Sequence, residues 1–208
     1  MGTTEIAKST RVGSIDRDSA GIHMTPEEFD AIEDYDDCYR YELIDGVLVV
    51  NAIPHEAHAE PNELLGGLLY VYKTTHENGQ ILDLTLQERY IHLPNSRRQP
   101  DRVIWAGLGR RPNPRIDVPT IAIEFVSSGK RSWRRDYITK RDEYLAAGVV
   151  EYWVIDRFDR KMTVYRSVEK KPPLVIEIGE KDKYRTDLLP GFELPLAELL
   201  AAADKWEN

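Results

Sequence analysis

A chain of 208 residues, 41% hydrophobic and 31% charged, has the length and composition of a globular domain with a real core. Its net charge of −8 argues at first against a polyanionic partner, and a lone cysteine, Cys38, excludes an internal disulfide and fits a reducing, cytoplasmic setting. Nowhere does it reach the roughly 18 consecutive apolar residues that a membrane-spanning helix needs.

The first 23 residues are polar, lack a signal-peptide core and read as a disordered tail, which leaves residues 24–208 as one domain. In "TPEEFDAI", Thr25 can cap a helix, Pro26 suits its first position and Glu28 completes a capping box. "YRYELIDGVLVVNA" is a β-hairpin, two apolar-alternating runs about an Asp-Gly turn. Leu64, Leu65, Leu68, Leu69 and Tyr72 then form a helical stripe over residues 56–76. "ILDLTLQERYIHL" gives one or two strands and "RVIWAG" another. The strand 119–127, the helix 132–147 and the strand 149–156 make a βαβ-like unit, hence a parallel pair inside a mixed sheet. "RKMTVYRS" and "PLVIEIG" add strands, and "LPLAELLAAADKW" ends the chain as a helix.

Charge is unevenly spread. Residues 97–141 carry twelve Lys and Arg against four acids, so the rest of the chain is strongly acidic. A locally basic surface on an acidic protein can still steer a polyanion, although such charges often belong to solvated loops.

The strand "IAIEFV" poses the chemical question. Glu124 shares a face with Ala122 and Val126, while Ile121, Ile123 and Phe125 fill the other face. Both faces are apolar, so the strand is central and covered on both sides. A carboxylate buried there requires a metal, a basic partner or a hydrogen-bond network. An Arg from the basic stretch would satisfy it as well as a cation would. Asp101 follows Pro100 at the rim of the strand "RVIWAG". It is either a turn-capping residue or a second carboxylate beside Glu124, and Mg²⁺ favours one or two carboxylates completed by a carbonyl, such as that of Phe125, and waters. In "DYITK" the inward helical stripe is Tyr137, Ile138, Arg141, Tyr144 and Leu145, with Lys140 at its edge. Lys140 is either a surface residue paired with Asp136 or a partly buried amine suited to activating water.

With "PD" at 100–101 and an acid in a strand some twenty residues on, the chain resembles the PD-(D/E)xK nuclease superfamily. More closely it resembles the Uma-two-like restriction-type endonucleases, through "MTPEEFDAI", "YRYELIDGVLVV", "PHEAH", "QPDRVIW", "IAIEFVSS", "DYITKRDEYLAAGVVEYWVID" and "LLPGFELPLAELL". The resemblance implies an α/β fold: a restriction-endonuclease-like mixed sheet flanked by helices, with an N-terminal β-hairpin. It also implies a metal-dependent site for cleaving DNA phosphodiesters. By motif, that site would comprise Glu42, Asp101, Glu124 and Lys140, with Asp101, Glu124 and the Phe125 carbonyl holding Mg²⁺ (Mn²⁺ as a substitute) and His58 as a neighbour. Val126 stands where the superfamily's short motif has Lys, and "SSGK" leaves Lys130 as a second candidate amine. A homodimer is expected, because two-fold symmetry suits cutting both strands.

Other readings are a catalytically inactive nucleic-acid-binding domain on the same fold and a metal-free enzyme with paired carboxylates. A zinc site through His55 and His58 lacks a third ligand nearby.

Overall fold

The computed structural model describes residues 13–206, apart from the side chain of Arg131. The chain, read from sequence as one domain over 24–208, divides into two compact units. One runs up to Ile53 and includes Pro94–Arg97; the other comprises Pro54–Leu93 and the chain from Arg98 onward.

In the first unit, helix α1 (Pro26–Asp30) starts with the expected capping box, in which Thr25 accepts from the Glu28 N–H and Glu28 accepts from the Thr25 N–H. Strands β1 (Tyr39–Ile44) and β2 (Val47–Ala52) pair antiparallel about Asp45 and Gly46. Both turn residues have positive φ, 49° and 78°, as a two-residue turn of this hand demands, and Gly46 meets that demand without strain. Of the tail expected over residues 1–23, residues 1–12 lie outside the described residues, and residues 13–23 are structured. Asp16 caps a short 3₁₀ turn, Ile15 is buried and bridges to Tyr35, and His23 bridges to Val47. Polar composition hid this segment because its order comes from local caps and one anchored isoleucine rather than from an apolar run.

The second unit is a six-stranded mixed sheet. Its strands are β3 (Leu82–Gln87), β4 (Arg102–Ala106), β5 (Ile121–Phe125), β6 (Glu151–Asp156), β7 (Lys161–Val168) and β8 (Lys171–Gly179), in the spatial order β8-β7-β6-β5-β4-β3. Only β5 and β6 run parallel, joined by the expected helical crossover; the other neighbours are antiparallel.

Both faces are covered. On one side Ile121, Ile123 and Phe125 pack with Leu65 and Leu69 of α2 (Glu56–Thr75) and Leu199 and Leu200 of the C-terminal helix Leu196–Asp204. On the other, Ala122 and Val126 pack with Tyr137, Tyr144, Val149 and Tyr152. The two-sided burial read from the Glu124 strand is therefore present, and every residue of β5 is buried.

The crossover helix is not uniform. Helix α3 (Lys130–Arg134) runs through a π-turn at Arg135–Thr139 into α4 (Lys140–Ala147), which closes on Gly148 at φ 103°. The extra residue of the π-turn shifts the phase of everything before it relative to α4. Ile138, expected inside, is exposed, whereas Lys140, expected at the edge of the stripe, is buried.

Candidate active site

The antiparallel register of β4 on β5 pairs Arg102 with Ile123 and Val103 with Ala122. Carried one residue further, it sets Asp101 opposite Glu124, and directly opposed residues project to the same side of a sheet. Asp101 is held there from several directions. Its Oδ2 accepts the Phe125 N–H at 2.8 Å, and its carbonyl accepts from Asn62 Nδ2 at 2.9 Å. The next residue, Arg102, sends its buried guanidinium back to Asn62 Oδ1 (2.7 Å) and to the Asn62 carbonyl (2.8 Å). Gly66 leaves that guanidinium room, because a Cβ at residue 66 would stand 2.7 Å from Nη2. The rim carboxylate is therefore clamped between α2 and β5.

Glu124 is 3% exposed. Its Oε1 accepts from Lys140 Nζ at 2.7 Å and from the Tyr144 hydroxyl at 3.1 Å, while Oε2 accepts from no described residue. Burial, helped by the Asp101 and Asp136 charges, outweighs the downward pull of Lys140 and leaves its carboxyl raised to about 8. Lys140 is likewise buried at 3%, so the pair lies inside the fold rather than on its surface. Asp136, a candidate partner for Lys140 from sequence, pairs with Arg135 instead. Lys130, the other candidate amine, is exposed at the start of α3.

Another buried strand carboxylate in this unit gives the comparison. Glu151 on β6 is fully buried, and both its oxygens are taken: Oε1 by Arg166 (2.7 Å) and Thr186 (2.9 Å), Oε2 by Trp153 (2.9 Å) and Tyr184 (3.0 Å). Glu151 is saturated with donors, whereas Glu124 keeps one oxygen for something else.

His58, near the start of α2, brings Nε2 to 2.8 Å from Asp101 Oδ2, and this buried nitrogen has no hydrogen-bond partner of its own among the described residues. Its ring also packs on Phe125, with centroids 5.8 Å apart. His58, Phe125 and Val126 line an apolar pocket with Arg157, Leu199 and Leu200, so the carboxyl end of β5 opens at this point. His55 is exposed, and among the described residues no trio of ligating side chains includes His55 or His58. Glu42 lies in the first unit, buried on β1 with Asn51 Nδ2 donating to it at 3.3 Å. The structure thus brings Asp101, Glu124, Phe125, Lys140 and His58 together in the second unit, with Glu42 in the other.

The donor set fits a hard divalent cation: two carboxylates at adjacent strand positions, one oxygen without a donor, and a backbone carbonyl at the same strand end. Three side-chain ligand atoms within 4.8 Å of one another occur, among the described residues, only at Asp36, Asp37 and Cys38. All three are exposed, and the hydrogen bond to Asp36 holds the Cys38 thiol above its usual range, which disfavours the thiolate a metal would need. Mg²⁺ does not require such a trio, since it keeps several waters.

Sequence reasoning missed Asn62, Arg102, Gly66 and Tyr144 as the supports of this site, and read the basic stretch as more surface than it is. Arg98 is buried against Glu143, Arg102 against Asn62 and Lys140 against Glu124, while Arg110 pairs with Asp117. Arg111, Arg115, Lys130 and Arg134 remain exposed.

His58→Ala is expected to weaken Mn²⁺ binding by about 10- to 100-fold, the usual cost of losing a group that orients a metal ligand. Calorimetric titration measures it; unchanged affinity would reduce His58 to a packing partner of Phe125.

A sequence profile of the family described as "Uma2: Putative restriction endonuclease" matches residues 26–197. Among solved structures, a protein of Anabaena variabilis ATCC 29413, titled "a putative nuclease belonging to DUF820", superposes with a TM-score of 0.66 over 86% of this chain and 99% of that one. Identity is 14%, so this likeness concerns the fold. No curated protein matches.

Proposed function

The chain belongs to the Uma2 family of restriction-endonuclease type, and from that premise we propose that it is a Mg²⁺-dependent endonuclease hydrolysing DNA phosphodiester bonds. The observation that carries the reading is Glu124: a carboxylate buried in a central strand, opposite Asp101, with Lys140 on one oxygen and no donor on the other.

Asp101, Glu124 and the Phe125 carbonyl would hold Mg²⁺, or Mn²⁺ in its place. When bound, the ion supplies Lewis-acid polarisation of the scissile phosphate and a water of lowered pKa. Lys140, fixed by Glu124, directs a charged donor to the same oxygen-rich spot, where it orients the attacking water and offsets charge developing on the phosphate. Tyr144 limits the rotation of the Glu124 carboxylate by holding the oxygen that Lys140 also holds. His58 and Asn62 keep Asp101 in place. The exposed cations Arg111, Arg115, Lys130 and Arg134 contact backbone phosphates, giving affinity that falls with salt. A cytoplasmic homodimer completes the reading. Among the described residues no helix is long and apolar enough to cross a membrane.

The test is calorimetric titration of Mn²⁺ into the wild type and into Glu124→Gln, without and with cleavage-resistant DNA. Wild-type binding that disappears in the variant is the expected result. Silence in the wild type even with DNA present would overturn the metal-dependent mechanism. If DNA still bound, the catalytically inactive nucleic-acid-binding domain would replace it.

A further inference from the structure

Trp133 stands on α3, on the same continuous helical segment as Lys140, seven residues and about 10 Å before it. It is 46% exposed, which is unusual for so large an aromatic. One face of its indole is already occupied: it stacks on Tyr137, with ring centroids 5.0 Å apart and planes 20° from parallel. Tyr137 is itself fixed, buried in the core and donating its hydroxyl to Asp156 Oδ2 at 3.0 Å. Asp136, the residue before it, is pinned through its carbonyl by the Tyr152 hydroxyl at 2.9 Å. The indole is therefore a flat surface with a rigid backing rather than a free rotor.

Lys130 and Arg134, both exposed, flank it on the same short helix, and exposed Ile138 lies one turn beyond Arg134. Cations beside a backed aromatic plane match the two parts of a nucleotide: phosphate for the charges, base for the ring. A base inside a duplex has both faces covered by its neighbours, so only an unstacked base can use the plane. A Trp that merely covered Tyr137 would not need the flanking cations.

We propose that Trp133 is a stacking platform for an unpaired base of the strand being cut, so that the substrate is a strand that is single-stranded, or locally unpaired, near the scissile bond. The proposal rests on the nuclease reading above and deepens it by naming the form of the substrate.

The experiment measures binding of a short fluorescent single strand with cleavage-resistant linkages, and of the same sequence as a duplex, to the full chain with Mg²⁺. The proteins are the wild type, Trp133→Ala, Trp133→Phe and Arg134→Ala. Trp133→Ala is expected to weaken single-strand binding by about 5- to 100-fold, the range that loss of one base–aromatic stack gives, with little change for duplex. The salt slope should stay as in the wild type. Trp133→Phe should recover much of the loss, which a merely structural role would not require. Arg134→Ala should instead lower the single-strand salt slope by about 0.7, one phosphate's share. Tryptophan emission, partly from the exposed Trp133, should be quenched by the single strand in the wild type and less so in Trp133→Ala.

If the wild type binds both nucleic acids and Trp133→Ala binds the single strand equally well, the platform is overturned and the nuclease reading stands. A preference of the wild type for duplex, unaffected by residue 133, does the same. If the wild type binds neither form at any salt, the nuclease reading itself fails and the platform falls with it.

Discussion

Lys140→Met is expected to lower the cleavage rate by about 10²- to 10⁴-fold, the contribution of one positioned proton-transfer or charge-stabilising group. At a pH high enough to keep Glu124 ionised it should leave Mn²⁺ binding in place, because Asp101, Glu124 and the Phe125 carbonyl remain. That split separates the amine from the ligands: Glu124→Gln should lose both binding and turnover, Lys140→Met only turnover. The same substitution reports on Glu124 through stability. Burial already holds its carboxyl above the usual range, and Lys140 is what pulls it down. Without the amine the carboxyl rises further, so the folded chain takes up a proton instead of stranding a charge. A group raised in the folded state contributes stability that is full below its unfolded value, about 4.3. That contribution is lost as pH climbs through the folded value. Between the two, the folded state holds one proton more than the unfolded state, and stability falls with rising pH by up to about 1.4 kcal/mol per unit. Urea unfolding of Lys140→Met at several pH values between about 5 and about 8 should show that decline. A flat profile would mean that Glu124 remains ionised without its lysine and that some other group compensates it.

How far the site could be read in advance follows from which parts are local. The pairing of Asp101 with Glu124 is nearly so: one strand begins just after an aspartate, the next holds a glutamate, and a simple antiparallel register sets them opposite each other. Two-sided burial of β5 was equally visible, since alternation failed on both faces. Lys140 was legible as a residue but not in its placement. A strict 3.6-residue period puts it at the edge of a stripe, and only the π-turn at Arg135–Thr139 rotates it fully inward while sending Ile138 out. No propensity in "RDYIT" announces a π-turn; it follows from packing Tyr137 and Tyr144 on the same sheet while Lys140 meets Glu124. The clamp on Asp101 was invisible for a different reason. Asn62 sits within a helix, forty residues from Arg102, and nothing in its neighbourhood marks it as a partner. Counting charges over 97–141 gave the right sign for a basic region but not its surface, because charge is a property of composition and exposure is not.

Glu151→Gln is expected to destabilise the fold by about 3 kcal/mol, the lower end of the cost of breaking a buried ion pair by removing one partner. Arg166 sets that lower end: its side chain is 32% exposed, so water can recover part of its charge. The rest of the cost is geometric. Gln presents one acceptor and one donor where Trp153 on one side and Arg166 on the other are donor-only and both require an acceptor. Whichever way the amide turns, donors face donors in a site with no exposure to relax them. Mn²⁺ affinity and turnover per folded molecule should be unchanged. Glu124→Gln should instead lose the cation; it keeps the one acceptor that Lys140 and Tyr144 use, yet it too should lower the urea midpoint, because the buried Lys140 ammonium is left beside a neutral amide. The two substitutions are chemically identical and sit on adjacent parallel strands. What distinguishes them is whether the second carboxylate oxygen is already spent on the fold. If Glu151→Gln were the variant that lost the cation and Glu124→Gln the one that kept it, that distinction would have been drawn at the wrong residue, and the catalytic reading of β5 would fall with it.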